Sequence, residues 1–208
     1  MPPSGEQSCA SFPRRATAWR VRRPLDMSVR LRAATPADNA EFAVLIERST
    51  RALLRPFLSC EQIAASLGLM TLDHALIEDG TYFVAEDLGT LVACGGWGRR
   101  REYITPSVNG KPPCNFLDSP RDPARVRAMY THPGHARRGL GRLILQTYER
   151  AARDAGFMHA ELLATLAGEP LYLAHGWQEI ERTALPTSIG VDVPAVRMGK
   201  RLVGGVSP

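Results

Sequence analysis

Apolar and polar residues alternate with a period of two over residues 29–33 and 124–131, and a largely apolar stretch, residues 82–97, lies between them as the second of three strand-like stretches. Alternation of this kind predicts strands with one buried face. Turn-forming residues at 87–89 divide the second stretch, which therefore predicts an antiparallel hairpin.

Helical patterns fill the first long interval between these strands. Thr35 and Pro36 have the residue types of a helix start, and the helix is predicted to continue to about Leu54. Ser59 opens a second helix as the first residue of a capping box, and residues 73–78 could add a further turn. Residues 99–123, in contrast, are rich in proline and predict a loop.

The C-terminal half repeats the alternation of strands and helices. From Leu140, apolar residues recur every three or four positions up to Gly156, which suits a left-handed C-terminal cap. A strand is predicted over 157–164, a helix over 170–176, and a closing strand over 195–202. This order predicts an α+β protein with a central, largely antiparallel sheet.

The strongest chemical signal is the turn between the strand at 124–131 and the helix at 140. Free N–H groups at a helix start point outward, the helix dipole favours negative charge there, and glycine lets a phosphate approach closely. Three arginines add positive charge to this turn: Arg137, Arg138 and Arg142. The segment therefore predicts a phosphate cradle.

Two common phosphate loops do not fit these residues. A Walker A loop requires Gly-Lys followed by Ser or Thr, and neither lysine nor hydroxyl follows Gly139. A dinucleotide fingerprint requires a third glycine three positions after Gly141, where Ile144 stands.

The stretch 136–141, Ala-Arg-Arg-Gly-Leu-Gly, resembles the cofactor motif of the GCN5-related N-acetyltransferase (GNAT) superfamily, Gln/Arg-x-x-Gly-x-Gly/Ala. Ala136 departs from it, since the superfamily usually has Gln or Arg there. A second landmark agrees, because Tyr172 stands four residues before the pair Gly176-Trp177, as the family's tyrosine does. The resemblance covers about residues 29–202.

This resemblance implies a three-layer α/β/α fold whose sheet splays between its fourth and fifth strands. It also implies acetyl-CoA as the acyl donor. The pantetheine arm would pair with the backbone at Met129, Tyr130 and Thr131, and an amide there, with Tyr130 favoured, would polarise the thioester carbonyl. The pyrophosphate would bind residues Ala136, Arg137, Arg138, Gly139, Leu140, Gly141 and Arg142. Tyr172 would be the general acid that protonates the leaving thiolate.

Composition bounds the remaining possibilities. The 208 residues fit one domain over 28–203, with a frayed tail at 204–208. Residues 1–27 carry five arginines against two acids and thus +3 of the net charge of +5; they are interpreted as a disordered or misassigned leader, although a transit peptide would look similar. The domain itself is not expected to bind nucleic acid, but RNA association through the leader is a weaker possibility.

Four cysteines without a Cys-x-x-Cys pair favour a reducing, cytoplasmic setting. No apolar run is long enough to span a bilayer, so no membrane partner is expected. His132 and His135 have metal-like spacing, but no cluster of acids or cysteines accompanies them, and no metal is expected.

The acceptor and its base are not readable from the sequence. Glu102, Asp118 and Glu161 are acids near the expected acceptor side, and none is assigned as the general base. Residues 99–101, three arginines, could attract an anionic acceptor or solubilise a strand end. Trp97 and Trp177 are interpreted as core residues, with stacking on the acceptor an alternative for Trp97.

The resulting hypothesis is direct acetyl transfer to a primary amine of a small molecule or protein in a ternary complex. The alternative is a non-catalytic acyl-CoA-binding sensor, which would share the phosphate turn. A homodimer is possible, because dimers are frequent in the superfamily.

Overall fold

The computed structural model of the protein describes residues 29–101, 116–119 and 121–202. The predicted leader, the predicted tail, Glu102 and most of the predicted loop over 99–123 lie outside these residues.

Within these residues, seven strands form one mixed sheet, with five α-helices around it. The strands are β1 (Val29–Ala33), β2 (Tyr82–Asp87), β3 (Thr90–Gly98), β4 (Ala124–Thr131), β5 (His159–Thr165), β6 (Gln178–Leu185) and β7 (Val193–Arg201). The helices are α1 (Asn39–Leu53), α2 (Cys60–Leu69), α3 (His74–Glu78), α4 (Leu140–Asp154) and α5 (Glu169–Leu173). The strand order is β1-β2-β3-β4-β5-β7-β6, and the β4–β5 pair is parallel whereas the other pairs are antiparallel.

Apolar side chains cover both faces of the sheet, so the fold has three layers. One cluster lies under α4 and α5 and includes Ile144, Tyr148, Tyr172 and Trp177. The other lies under α1 and α3 and includes Phe42, Leu76, Tyr82 and Tyr130. The predicted α+β fold class is therefore confirmed, and the two clusters leave the central strands buried on both sides.

Local sequence signals determine several element ends. Ser59 caps α2 as predicted: the amide of Gln62 donates to Ser59 Oγ at 3.1 Å, and the amide of Ser59 donates to Gln62 Oε1 at 3.1 Å. In the hairpin, Leu88 and Gly89 both adopt positive φ, 49° and 78°, as a tight turn between right-twisted strands requires. Gly156, at φ 90°, ends α4.

Two predicted boundaries differ from the structure. The fifth strand begins at His159 rather than at residue 157, because Phe157 packs edge-to-face on Trp97 in the core before the ladder starts. The following helix comprises only Glu169–Leu173. It stops early because the amides of His175 and Trp177 both turn back to the carbonyl of Tyr172, at 2.9 and 3.1 Å.

Candidate active site

A gap opens in the middle of the sheet, where β4 and β5 separate. The two strands pair only over Ala124–Val126 and Ala160–Leu162, although β4 runs on to Thr131 and β5 to Thr165. The backbone edge of β4 beyond Val126 is therefore not covered by β5. Such an uncovered edge can bind an extended ligand as an added strand.

A β-bulge bends β4 at this gap. Cys94 pairs with Tyr130 and Gly96 with Arg127, so β4 carries one extra residue opposite β3. Ala128 sits in the bulge at φ 54°, a left-handed conformation that alanine rarely adopts. Its carbonyl accepts a 2.8 Å hydrogen bond from the hydroxyl of Tyr82, which is fully buried on β2. Sequence reasoning missed this bulge, because an alanine carries no signal for positive φ.

The orientation of the β4 amides beyond the bulge follows from the ladder with β3. The amide of His132 donates to the Val92 carbonyl at 2.8 Å, and alternation along an antiparallel pair then turns the Thr131 amide away from β3. The Thr131 amide donates to Ser49 Oγ on α1 at 3.3 Å. The same alternation turns the Tyr130 amide toward β3. This orientation favours Thr131 over Tyr130 as a donor toward a bound thioester.

The predicted phosphate turn connects β4 to α4. A 3-10 turn, Pro133–His135, is followed by Arg137 at φ 63° and Gly139 at φ 93°. The first amide of this region bonded within the helix is that of Leu143, which donates to the Gly139 carbonyl at 3.0 Å. The amides that precede it at the helix start have no intrahelical partner, as at any helix N-terminus. Amides at a helix start can bind an anion.

Charge and packing complete this turn. Arg137 and Arg142 are exposed and Arg138 is half-buried, and none of them makes an ion pair within the described part of the chain. A Cβ on Gly141 would lie 2.9 Å from Leu171 Cδ2. Its missing side chain lets α5 pack on the first turn of α4.

Tyr172 lies on α5, directly after β5 leaves β4. Its side chain is buried, with 6% of the residue exposed, and its ring contacts that of Trp177 edge-to-face at 5.8 Å. Burial raises the pKa of the Tyr172 hydroxyl above its ordinary value. The pKa of Tyr130 is also raised, first by burial and then by electrostatic interaction with Cys94 and Tyr172.

A buried polar contact holds α4 against the segment that carries Tyr172. Trp177 Nε1 donates to Glu149 Oε1 at 2.8 Å, and Lys200 Nζ lies 2.7 and 2.9 Å from the two carboxylate oxygens of Glu149. Trp177 follows α5 by four residues, and Glu149 lies in α4. Sequence reasoning identified Trp177 as a core residue, which is confirmed by its 2% exposure, but it missed Glu149 and Lys200.

The acids considered as bases are engaged elsewhere or lie at the surface. Glu161 accepts from Arg125 at 2.7 Å and from Arg197 at 3.3 Å, so its carboxylate is already engaged by two guanidinium groups. Asp118 is exposed and faces Arg121 at 3.5 Å.

The three consecutive arginines have different environments. Arg100 is buried and paired with Asp79 at 2.8 Å, and Arg101 is paired with Asp122 at 2.8 Å. Arg99 lies over the ring of Trp97 at 5.9 Å, and Trp97 itself is buried in the core. Two of the three charges are therefore already neutralised by acids.

His132 and His135 organise the start of the phosphate turn. Their Nδ1 atoms are 3.4 Å apart, His132 Nδ1 accepts the Gly134 amide at 3.1 Å, and His135 Nε2 lies 3.3 Å from Asp87. His135 thus connects the turn to the β2–β3 hairpin, and His132 stabilises the turn from within.

Three features together define an acyl-CoA N-acyltransferase fold. They are a pair of parallel strands that separate, a bulge in one of these strands, and a helix start after the bulged strand that can bind an anion. Solved structures agree with it. A GCN5-related N-acetyltransferase from Rhodopseudomonas palustris is 18% identical, with a TM-score of 0.65 over 88% of this chain and 99% of its own. PaiA N-acetyltransferase from Thermoplasma acidophilum, in complex with coenzyme A, is 14% identical, with a TM-score of 0.58 over 84% and 99%. The Salmonella typhimurium protein yncA, with its cofactor acetyl-CoA, is 20% identical, with a TM-score of 0.55 over 87% and 98%.

The family model of the acetyltransferase (GNAT) domain matches residues 78–179, which include the hairpin, β4, the phosphate turn, α4 and α5. Residues 78–179 of the chain thus match an acetyltransferase (GNAT) domain, in agreement with the sequence resemblance. No curated protein matches it. Within the described residues, no helix is both long enough and apolar enough to cross a membrane.

Proposed function

We propose that the protein transfers the acetyl group of acetyl-CoA to a primary amine of a small molecule or protein, by direct attack in a ternary complex. One observation carries the proposal: β4 and β5 pair only near their starts, β4 leads through the turn into the start of α4, and β5 leads into α5, which carries the buried phenol of Tyr172. An extended thioester with a phosphate end fits such a gap.

The chain supplies a group for each binding requirement. Residues 136–142 offer helix-start amides and arginines to the pyrophosphate, and the edge of β4 at 129–131 offers backbone groups to the pantetheine. The Thr131 amide, directed off the β3 ladder, is our choice for the donor to the thioester oxygen. Removing one such donor costs about 2.7–4 kcal/mol of transition-state stabilisation in other enzymes.

Direct attack is favoured over a covalent acyl-enzyme on Cys94, which pairs with Tyr130 of β4, because this thiol is poorly suited as a nucleophile. Burial raises the pKa of Cys94 to about 12, although the Tyr82 hydroxyl and the Tyr130 amide oppose part of this effect. A thiol of that kind is protonated at neutral pH and does not attack a thioester. Cys60 is exposed at the start of α2.

Proton transfer is divided between the chain and solvent. Tyr172 protonates the departing thiolate, as a phenol near the sulfur can do. Glu161 is held by two arginines, so we assign deprotonation of the amine to water.

The free thiols of Cys60 and Cys94 also support a reducing, cytoplasmic location.

The test is calorimetric titration of acetyl-CoA, with dephospho-CoA and ATP as competitors, into the wild-type protein and the variant Arg138→Glu/Gly139→Asp. We expect micromolar binding that the variant loses. Arg150→Glu, which changes the same charge on the exposed side of α4 away from the turn, is the control and should bind normally.

Turnover is then followed as release of free thiol with a panel of primary amines. Release that depends on an amine and falls in Tyr172→Phe supports the proposal. Binding without release for any amine would favour the sensor instead, and equal binding by the variant and the wild type would remove residues 136–142 from the site.

A further inference from the structure

A second buried phenol lies next to the site and has no role in the proposed reaction. Tyr148, on α4, is fully buried, and its hydroxyl makes no hydrogen bond of ordinary geometry with any described residue. Burying a hydroxyl without a partner is unfavourable, and few native groups are left in this state. An unpaired buried hydroxyl beside a proposed proton donor suggests a function for it.

The structure places this hydroxyl toward Tyr172. Both side chains belong to the core cluster beneath α4 and α5. Burial raises the pKa of each phenol; Tyr148 acts on Tyr172 in the opposite direction and lowers its pKa, whereas Tyr172 raises that of Tyr148. Contact between the two hydroxyls contributes to both shifts, so the phenols are neighbours within this cluster.

Contacts next to the two phenols explain why Tyr148 and Tyr172 keep their relative positions. Glu149, the next residue on α4, accepts the Trp177 indole N–H, and the Trp177 ring packs on Tyr172. Lys200 neutralises Glu149 from β7. The two helices are therefore fastened one residue away from Tyr148, and neither can slide without breaking a buried polar contact.

We propose that Tyr148 is a positioning residue for the proton-transfer step, with its hydroxyl donating to Tyr172 Oη while the proton of Tyr172 points at the sulfur of the thioester. The proposal rests on the proposed function, in which Tyr172 is the acid. It assigns to Tyr148 a role that requires no contact with either substrate.

The step balances as follows. The amine nitrogen forms the C–N bond, and the C–S bond breaks with its electron pair remaining on sulfur. The Tyr172 proton moves to that sulfur, and the resulting phenolate is stabilised by the O–H of Tyr148. The extra proton on the attacking nitrogen passes to water, and the phenolate regains a proton from water after the free thiol leaves.

Protonation of the leaving thiolate by Tyr172 needs such a donor, because a tyrosine hydroxyl is a weaker acid than the thiol that it must form. An ordinary phenol has a pKa of about 10 and an ordinary thiol about 8.5, so proton transfer from tyrosine to a thiolate is uphill even before burial. Burial makes it more so, since a phenolate is disfavoured in an apolar site. A hydrogen bond that forms fully only with the phenolate offsets part of this difference.

The first experiment requires no acceptor. Tyrosine is replaced by 3,5-difluorotyrosine, whose more acidic phenol titrates within the stable pH range, and the ¹⁹F resonance of Tyr172 is assigned with Tyr172→Phe. In Tyr148→Phe we expect the Tyr172 resonance to titrate about one to two pH units higher, as loss of a hydrogen bond to a charged group implies. An unchanged titration would overturn the proposal.

The second experiment is a double-mutant cycle on turnover with an amine acceptor. Tyr148→Phe should lower kcat about 10- to 100-fold with an unchanged KM for acetyl-CoA, and should have no further effect in a Tyr172→Phe background. Thr147→Val is the matched control, because it removes a hydroxyl that donates only to the Leu143 carbonyl at 2.8 Å. An equal loss of kcat from Tyr148→Phe in both backgrounds would refute the inference.

The outcomes separate this inference from the proposed function. If Tyr172→Phe keeps full turnover, Tyr172 is not the acid, whatever the titration shows. If Tyr172→Phe is slow and Tyr148→Phe is fast with an unshifted resonance, the acid role of Tyr172 stands and the role of Tyr148 is refuted.

Discussion

Tyr82→Phe is expected to destabilise the protein and weaken acetyl-CoA binding, although Tyr82 is outside the proposed binding surface. The hydroxyl of Tyr82 donates to the Ala128 carbonyl at 2.8 Å and lies 3.2 Å from Cys94 Sγ. Burial raises the pKa of this hydroxyl well above its ordinary value, so it remains a donor throughout the accessible pH range. Its removal leaves the carbonyl of a strained bulge residue without this partner.

The magnitude follows from this geometry. Leaving a buried carbonyl unsatisfied costs about 1–3 kcal/mol, and we expect the free energy of unfolding to fall by this amount. If the bulge relaxes, β4 loses the register that presents Thr131 to the gap. One lost hydrogen bond to the cofactor, about 1.4 kcal/mol, corresponds to a roughly 10-fold weaker Kd.

The assay is urea unfolding together with calorimetric titration of acetyl-CoA, and the chain offers a matched control. Tyr148 is equally buried, but no backbone carbonyl among the described residues accepts a hydrogen bond from its hydroxyl, so its removal leaves no carbonyl unsatisfied. Tyr148→Phe should therefore leave both stability and Kd near the wild-type values. If the two variants lose the same stability, the loss reflects removal of any buried hydroxyl, and the reasoning about the bulge carbonyl is refuted.

Two further predictions concern stability. Gly139→Ala, at φ 93°, should cost about 1–2 kcal/mol, whereas Gly68→Ala in α2, with nothing within 4 Å of the new Cβ, should gain about 0.5–1 kcal/mol; changes of the same sign in urea unfolding would contradict this. Hydrogen bonding to Arg32 lowers the pKa of Asp38 from 3.8 to about 2, so this carboxylate stabilises the fold above about pH 4 and the effect is lost as the pH falls toward 2. Asp38→Asn should thus cost about 2 kcal/mol at neutral pH and flatten the profile between pH 4 and 2; an equally steep acid decline in the variant would count against the prediction.

The parts of the fold that could be predicted are those determined by neighbouring residues. Alternation over residues 124–131 indicated β4, Ser59 and Gln62 indicated the cap of α2, and Gly156 indicated the end of α4. Each of these signals acts within a few residues of the chain. The phosphate turn belongs to the same class, because glycine at positive φ and a helix start are both local features.

The parts that could not be predicted depend on residues that are distant in sequence. Tyr82 reaches Ala128 across 46 positions, Trp177 reaches Glu149 across 28, and Lys200 reaches Glu149 across 51. Each residue alone reads as an ordinary core or surface position. The partner of each is determined only by the sheet order, in which β7 lies next to β5 and β4 bulges against β3.

α4 carries both ends of the proposed site. One end was predicted from local sequence signals, and the other depends on contacts between residues that are distant in sequence. Its first turn presents the amides to the pyrophosphate, and Tyr148, eight residues after Leu140, faces the proposed acid. At a rise of about 1.5 Å per residue, these points are about 12 Å apart along a rigid rod. The distance between phosphate recognition and proton donation is therefore determined by helix geometry, provided that Glu149 keeps α5 in place. The buried contact of Glu149 with Trp177 and Lys200 thus links two site halves that lie far apart in the sequence.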